Sequence, residues 1–283
     1  MKLNLPISPE SISPLREIFV YAGLTIVITW LFWTPGGFLP MGSGIGDFLL
    51  TIGSLVPLAV AIFLQVWLQK WTFTPMQWFK TLTVRTIALA FFTAFAIFAP
   101  VLMLRVFQGT LDPGTFLNDM RRNWFALVGM LLLALAEECG WRAYLLPRLK
   151  NMPLYLVNIL VGALWFLWQL PLVLAGRYNT SEDFGGFVIA MFLYALLITP
   201  FLNRLALRGN YNPILSGILR ATATFVIAVY FVQGRGDPLT DTFGNLTIGW
   251  LLLLNLILFS QLWQGKKPPA EISELERVMP LQP

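Results

Sequence analysis

The chain has 283 residues, of which 57% are hydrophobic and only 12% charged. Soluble domains carry about 25% charged residues, and a soluble chain of this length would still have to cover a wet surface, so the composition excludes an ordinary soluble fold. The formal charge of +5 is spread between apolar runs rather than clustered on one face, which speaks for membrane topology and against a nucleic-acid partner.

The opening segment, Met1 to Arg16, is polar and carries Pro6, Pro9 and Pro14. It does not read as a cleavable signal peptide, because Trp30, Trp33 and Pro35, and no small-residue cleavage site, follow the first apolar run. Eight apolar stretches then recur, near 17–39, 48–69, 86–107, 124–147, 154–174, 184–202, 211–233 and 246–263. Each is close to the roughly 20 residues needed to cross the hydrocarbon core. The fold class is therefore all-α: a polytopic bundle of about eight transmembrane helices forming one domain over 1–263, followed by a polar tail over 264–283. Eleven Trp and 23 Phe suit a surface that meets lipid tails and headgroups.

Between the second and third stretches, Trp71, Phe73, Met76, Trp78 and Phe79 alternate with Lys70, Lys80 and Arg85, an interfacial pattern. With the N-terminus inside, the cytoplasmic side receives Lys2, Arg16, Lys70, Lys80, Arg85, Arg148, Lys150, Arg204, Arg208, Lys266, Lys267 and Arg277. The other side receives Arg105, Arg121, Arg122, Arg177 and Arg235. That 12-to-5 split favours cytoplasmic termini. The pair Arg121–Arg122 runs against it. The expected location is the plasma or cytoplasmic membrane.

Ionisable side chains inside membrane helices are costly and mark function or a specific buried pairing. Two stretches carry them deep. The fourth reads AEECGWRAYLLPRL and holds Glu137, Glu138 and Arg142; the seventh reads NPILSGILRATATF and holds Arg220. At about 1.5 Å rise per residue, Glu138 lies about 15 Å from Arg148 and Arg220 about 14 Å from Tyr211, so the groups sit at similar depth. Glu138 and Arg142, at i and i+4, share a face in the favourable acid-then-base order. Glu137 points about 100° away from Glu138, so the two carboxylates are not expected to face the same way. Two acids and two bases make a formally neutral cluster. It reads either as ion pairs joining the fourth and seventh helices or as a site, and Arg220 is expected to pair with one of the carboxylates.

The segment Glu-Glu-x-x-x-Arg at 137–142 resembles the first motif of the CAAX-protease and bacteriocin-processing family of intramembrane glutamic endopeptidases, which includes the prenyl-protein endoprotease. That family's second motif, an aromatic residue and a histidine four positions on, is matched by Trp165 and Gln169. Its third, His-x-x-x-Asn after a polar residue and proline, is matched by Arg220 and Thr224 after Asn212-Pro213. The resemblance covers about 124–233, and the eight-helix pattern agrees. In the family a glutamate and the two histidines are held to activate water and stabilise the oxyanion. This chain contains no histidine. Glutamine does not titrate near neutral pH, and arginine effectively never deprotonates. A zinc site of the His/carboxylate type is likewise unavailable, and no cofactor or metal is implied.

These departures point to a degenerate, non-catalytic site on a binding, assembly or accessory subunit of a membrane complex, with lipid and a membrane protein as partners. Two alternatives stay open: an active intramembrane endopeptidase cutting membrane-embedded or prenylated substrates, and a transporter using the neutral charge cluster. Matching discontinuous helices, which a transporter would favour, are not evident. Lesser features read as structural. Cys139, the only cysteine, precludes an intrachain disulfide and is a small buried residue without a histidine to activate it. Trp165 and Trp168 read first as core packing. Pro147, Pro171 and Pro200 read as kinks or stops near helix ends, and Pro100 lies deeper. The Asn-x-Ser/Thr triplets at Asn179 and Asn245 are short enough to arise by chance.

Overall fold

The computed structural model describes residues 14–40, 42–176, 183–232 and 242–264. Among them every regular element is a helix: α1 Pro14–Phe38, α2 Gly44–Trp67, α3 Pro75–Lys80, α4 Val84–Phe107, α5 Pro113–Arg122 and α6 Trp124–Glu138. A π-helical segment, Cys139–Leu145, carries α6 without a break into α7, Leu146–Arg148. Then come α8 Leu154–Leu174, α9 Phe184–Arg208, α10 Pro213–Val232, α11 Thr242–Ile257 and α12 Phe259–Leu262.

All eight apolar stretches are helical. Six reach spanning length and apolarity: Leu15–Phe38, Gly44–Trp67, Val84–Phe107, Trp124–Arg148, Leu154–Leu174 and Phe184–Arg208. The other two contribute the shorter apolar helices Pro213–Val229 and Asn245–Ile257. Large apolar side chains such as Phe19, Leu31, Phe48, Phe63, Phe92 and Leu132 face outward, as a surface solvated by lipid permits. The chain is an integral membrane protein.

Local chemistry sets the helix starts. Ser43 Oγ accepts from the Gly46 amide at 3.2 Å, Asp112 from Thr115 at 2.6 Å and Asp183 from Gly186 at 2.8 Å, each satisfying an orphan N–H of a first turn. Thr83 and Thr86 cap α4 reciprocally, in the manner of a capping box. Asn212 caps α10, its Oδ1 accepting from the Ile214 amide at 2.8 Å. The same side chain donates to the Trp78 carbonyl at 2.8 Å and to Thr81 Oγ1 at 2.7 Å. That ties the 70–85 segment to the α9–α10 turn, where Asn210 and Tyr211 both adopt positive φ. The segment is amphipathic as expected, with Phe73 and Trp78 buried and Trp71, Met76 and Phe79 exposed.

Three readings need correction. Helix α5 was not foreseen. It contains Arg121 and Arg122 in its last turn, and its first turn depends on an Asp cap, a signal that a search for apolar runs passes over. Helix α9 runs through Pro200 to Arg208, past the expected limit at 202, so Pro200 is an interior residue. The eighth stretch breaks at Leu258, where α11 gives way to α12. Helix α4 runs unbroken through Pro100. Lys2, Arg177, Asn179, Arg235, Lys266, Lys267, Arg277 and the tail beyond Gln264 lie outside the described residues.

Small residues let the helices approach closely, as membrane packing favours. A Cβ on Gly162 of α8 would stand 3.1 Å from Leu196 Cα of α9, and one on Gly140 would stand 2.6 Å from Pro57 Cβ of α2. Helix α6 packs against α2 and α10, and α8 lies between α1 and α9. This arrangement turns Glu137, Trp165 and Arg220 toward a common interior.

Candidate functional site

The site begins where α6 widens. Glu137 and Glu138 end its α-helical part, and the π segment beginning at Cys139 carries Arg142. Single π turns inside α-helices occur often at functional sites. Arg142 Nη1 donates to Glu138 Oε1 at 2.9 Å, and both side chains are fully buried, so the i, i+4 pair read from the sequence is present. Arg142 Nε also donates to Asn203 Oδ1 of α9 at 3.2 Å. Asn203 Nδ2 donates to Asn158 Oδ1 of α8 at 2.8 Å, and Asn158 Nδ2 to the Leu262 carbonyl at 2.8 Å. One guanidinium is thus anchored through three further elements.

Arg220 of α10 pairs with Glu137, and its Nη1 stands 3.6 Å from Glu138 Oε1. The expectation that it would meet one carboxylate is met by both. The two glutamates diverge on their helix, but a guanidinium is a fork wide enough to reach two acceptors. Arg220 also lies over the Trp165 ring, 4.6 Å from its centroid, and 5.7 Å from that of Trp168, within cation–π range. The aromatic pair therefore has a role beside core packing.

A cavity of about 300 Å³ opens against this cluster. Glu137, Trp165, Gln169, Arg220 and Thr224 all line it, whereas Glu138 and Arg142 stand behind its wall. All three motif positions therefore converge on one point of the bundle. Gln169 and Trp165, four apart on α8, present one face; Thr224, one turn past Arg220 on α10, is exposed at the rim. Cys139 is half-buried and does not line the cavity.

Sequence reasoning missed several of these residues. Asn158 and Asn203 are fully buried; an amide inside an apolar stretch of α8 and of α9 was the available signal. Ser54, Tyr194 and Thr51 line the cavity, and nothing in their local sequence marks them. Glu17 corrects the reading that only the fourth and seventh stretches carry buried charge. It sits in the first turn of α1, is buried, and accepts from Tyr144 Oη at 2.7 Å and Arg148 Nε at 2.5 Å.

Comparison with known proteins reaches the same part of the chain. A family model described as type II CAAX prenyl endopeptidase Rce1-like matches residues 120–208. A CAAX prenyl protease 2 from Methanococcus maripaludis is 26% identical over 174 residues, covering 57% of this chain and 64% of the relative. The alignment thus spans somewhat less than two thirds of that relative's length. The matched family segment contains Glu137, Glu138, Arg142, Trp165 and Gln169, the residues that meet at the cavity and behind it. With its motif positions converging as described, the chain is a CAAX-protease-like membrane protein.

Proposed function

We propose that this chain keeps the fold of the family without its chemistry, and that it serves as a binding, assembly or accessory subunit of a membrane complex. The observation that carries this reading is the placement of Arg220 between Glu137 and Glu138. In a glutamate-dependent hydrolysis one carboxylate must be free to take a proton from water. Here each carboxylate has a guanidinium held against it, Arg220 on Glu137 and Arg142 on Glu138, where the family places a histidine near the reacting water. Arg220 cannot accept a proton in turn, and Gln169 cannot relay one. General base catalysis contributes about 10²–10⁴-fold, and a pre-organised oxyanion donor about 10²–10³-fold. Without either, turnover falls by several orders of magnitude.

The competing reading is an active intramembrane endopeptidase. It draws on the retained Glu137, Glu138 and Arg142, on the cavity against Glu137, and on a relative that is named a prenyl protease. One assay separates the two. Purified wild-type protein is incubated with a panel of membrane-anchored and prenylated peptides and products are read by mass spectrometry. We expect no product above a Glu137→Ala control; Glu137-dependent products would establish the endopeptidase instead. Mild detergent extraction from native membranes should co-purify a membrane-protein partner in constant ratio, and a chain that elutes alone would remove the subunit role. Cytoplasmic termini belong to the same proposal, supported by Lys70, Lys80, Arg85, Arg148 and Lys150 at helix junctions of one side. Protease accessibility of terminal tags in sealed vesicles tests it.

A further inference from the structure

The wall of the cavity is mostly apolar, yet it is rich in hydrogen-bond donors at one point. Trp165 and Gln169 are 5% and 8% exposed, both line the cavity, and neither Trp165 Nε1 nor Gln169 Nε2 has a hydrogen-bond partner. Four residues apart on α8, they share a face. The neighbouring Trp168 behaves otherwise, its Nε1 donating to Thr29 Oγ1 at 2.8 Å. Helix α8 thus satisfies an indole N–H where it faces α1 and leaves one buried without a partner in a residue that lines the cavity. Trp141 Nε1 and Thr25 Oγ1 are also buried without partners, but they do not line the cavity. What matters is that both residues with an unpartnered donor, four apart on one helix, line the same cavity.

An indole N–H only donates, so a ligand completing this site brings an acceptor oxygen. The charges constrain it further. Two glutamates face two arginines and pair among themselves, leaving no net charge to hold an ion, so the ligand is uncharged. Its body is apolar, to match Leu133, Leu172, Met191 and Ile198. A volume of about 300 Å³ is small for a whole lipid. It admits a carbonyl and the adjoining part of a chain, while the rest leaves past the exposed rim residues Thr51 and Thr224 into the bilayer. We infer that the cavity binds an uncharged lipid through a carbonyl oxygen that accepts from Trp165 Nε1 and Gln169 Nε2. The inference rests on the non-catalytic reading of the same cavity, since the ligand is held and not cut.

A carbonyl on an apolar chain can come from the ester of a glycerolipid or from a prenylated quinone, and the test separates them. Full-length protein is placed in nanodiscs of diether phosphatidylcholine, a host without carbonyls. Retention is then measured by native mass spectrometry for dioleoylglycerol, for its dialkyl ether counterpart and for a long-chain prenylated benzoquinone. Wild type should retain the better carbonyl ligand about tenfold over the ether, the size expected for two net hydrogen bonds. The preferred carbonyl ligand identifies the source. Gln169→Leu and Trp165→Phe should each reduce that preference about three- to fivefold, read as the ratio of carbonyl-ligand to ether retention within the same variant. Equal retention of ester, quinone and ether by wild type overturns the inference, as does undiminished discrimination by Gln169→Leu. A single-span peptide that binds while all three lipids are ignored also overturns it. The wild-type comparison needs no variant, so a Trp165→Phe protein that fails to fold leaves the test intact. Cleavage in the peptide assay would overturn the non-catalytic reading without altering the ester-to-ether ratio, so the two failures are distinguishable.

Discussion

Two ion-pair clusters ride on the rod formed by α6, the π segment and α7, and they differ in how completely they close. Near the end of the rod, Glu17 accepts from Tyr144 Oη and Arg148 Nε, Arg148 Nη1 donates to the Tyr144 carbonyl at 2.6 Å, and its guanidinium stands 3.5 Å from the Tyr144 ring centroid. One acid meets one base, and the surplus donor is absorbed by a carbonyl. Deeper along the rod, two acids meet two bases. There Glu138 Oε2, Arg142 Nη2 and Arg220 Nη1 remain without hydrogen-bond partners, and a cavity opens on the side of the cluster formed by Glu137 and Arg220. A closed cluster is a clasp between α1 and α7. An open one beside a cavity has valences left for something else, and this distinguishes a candidate site from a buried ion pair of purely structural use.

The largest expected effect tests whether the deep cluster is a disabled active site. Gln169→His, Arg220→His and Thr224→Asn together restore the histidines and asparagine of the family motifs. The triple variant should cleave a membrane-anchored peptide at least about 10²-fold faster than wild type, measured by product formation and abolished by a further Glu137→Ala. If each single variant cleaves as well as the triple, the missing histidines are not what silences the site.

Stability measurements sharpen the contrast. Arg142→Ala leaves Glu138 buried without its nearest cation and orphans Asn203 Oδ1, so it should cost about 3–5 kcal/mol. A melting temperature in detergent within error of wild type would mean that the pair contributes little. Arg220→Ala strands Glu137, but at the edge of a cavity that can admit water or ligand, so about 3 kcal/mol is expected, the lower end of the same range. The double variant Glu137→Gln/Arg220→Met, which removes both charges at similar volume, should recover most of that loss. A double variant as unstable as the single one would show that the ion pair itself, and not the stranded charge, sets the cost.

The smallest effect belongs to the clasp. Glu17→Gln keeps the shape and one acceptor for Tyr144 and Arg148, so the loss should be about 1–2 kcal/mol, the worth of charge-assisted hydrogen bonds near a helix end. Ligand retention in nanodiscs should not change, because Glu17 does not line the cavity. Altered retention would mean that the two clusters communicate along the rod.

The bilayer made much of this protein legible from its sequence. A spanning helix must satisfy its own backbone and face lipid with apolar side chains, so the eight stretches appear as runs of composition, and a buried charge stands out against them. The pairing of Glu138 with Arg142 was legible for the same reason, since helical periodicity alone brings i and i+4 together. The order of the motif residues in α6, α8 and α10 was also visible.

Which helices touch, and what meets between them, belonged to the tertiary structure alone. Arg220 reaches both carboxylates because α10 packs on α6, and neither sequence specifies that crossing. Asn203 and Asn158 join Arg142 because α9 and α8 bring their polar faces to it, and Glu17 is buried because α1 covers the end of the rod. Helix α5 escaped notice because a cap and a turn, not an apolar run, define it. The cavity lined by two residues with unpartnered donors was beyond any reading of single helices, because empty space is a property of how six helices fail to fill the volume between them. Composition and period act within a helix; contacts between helices depend on side-chain shape across distant segments, and only the packed bundle determines them.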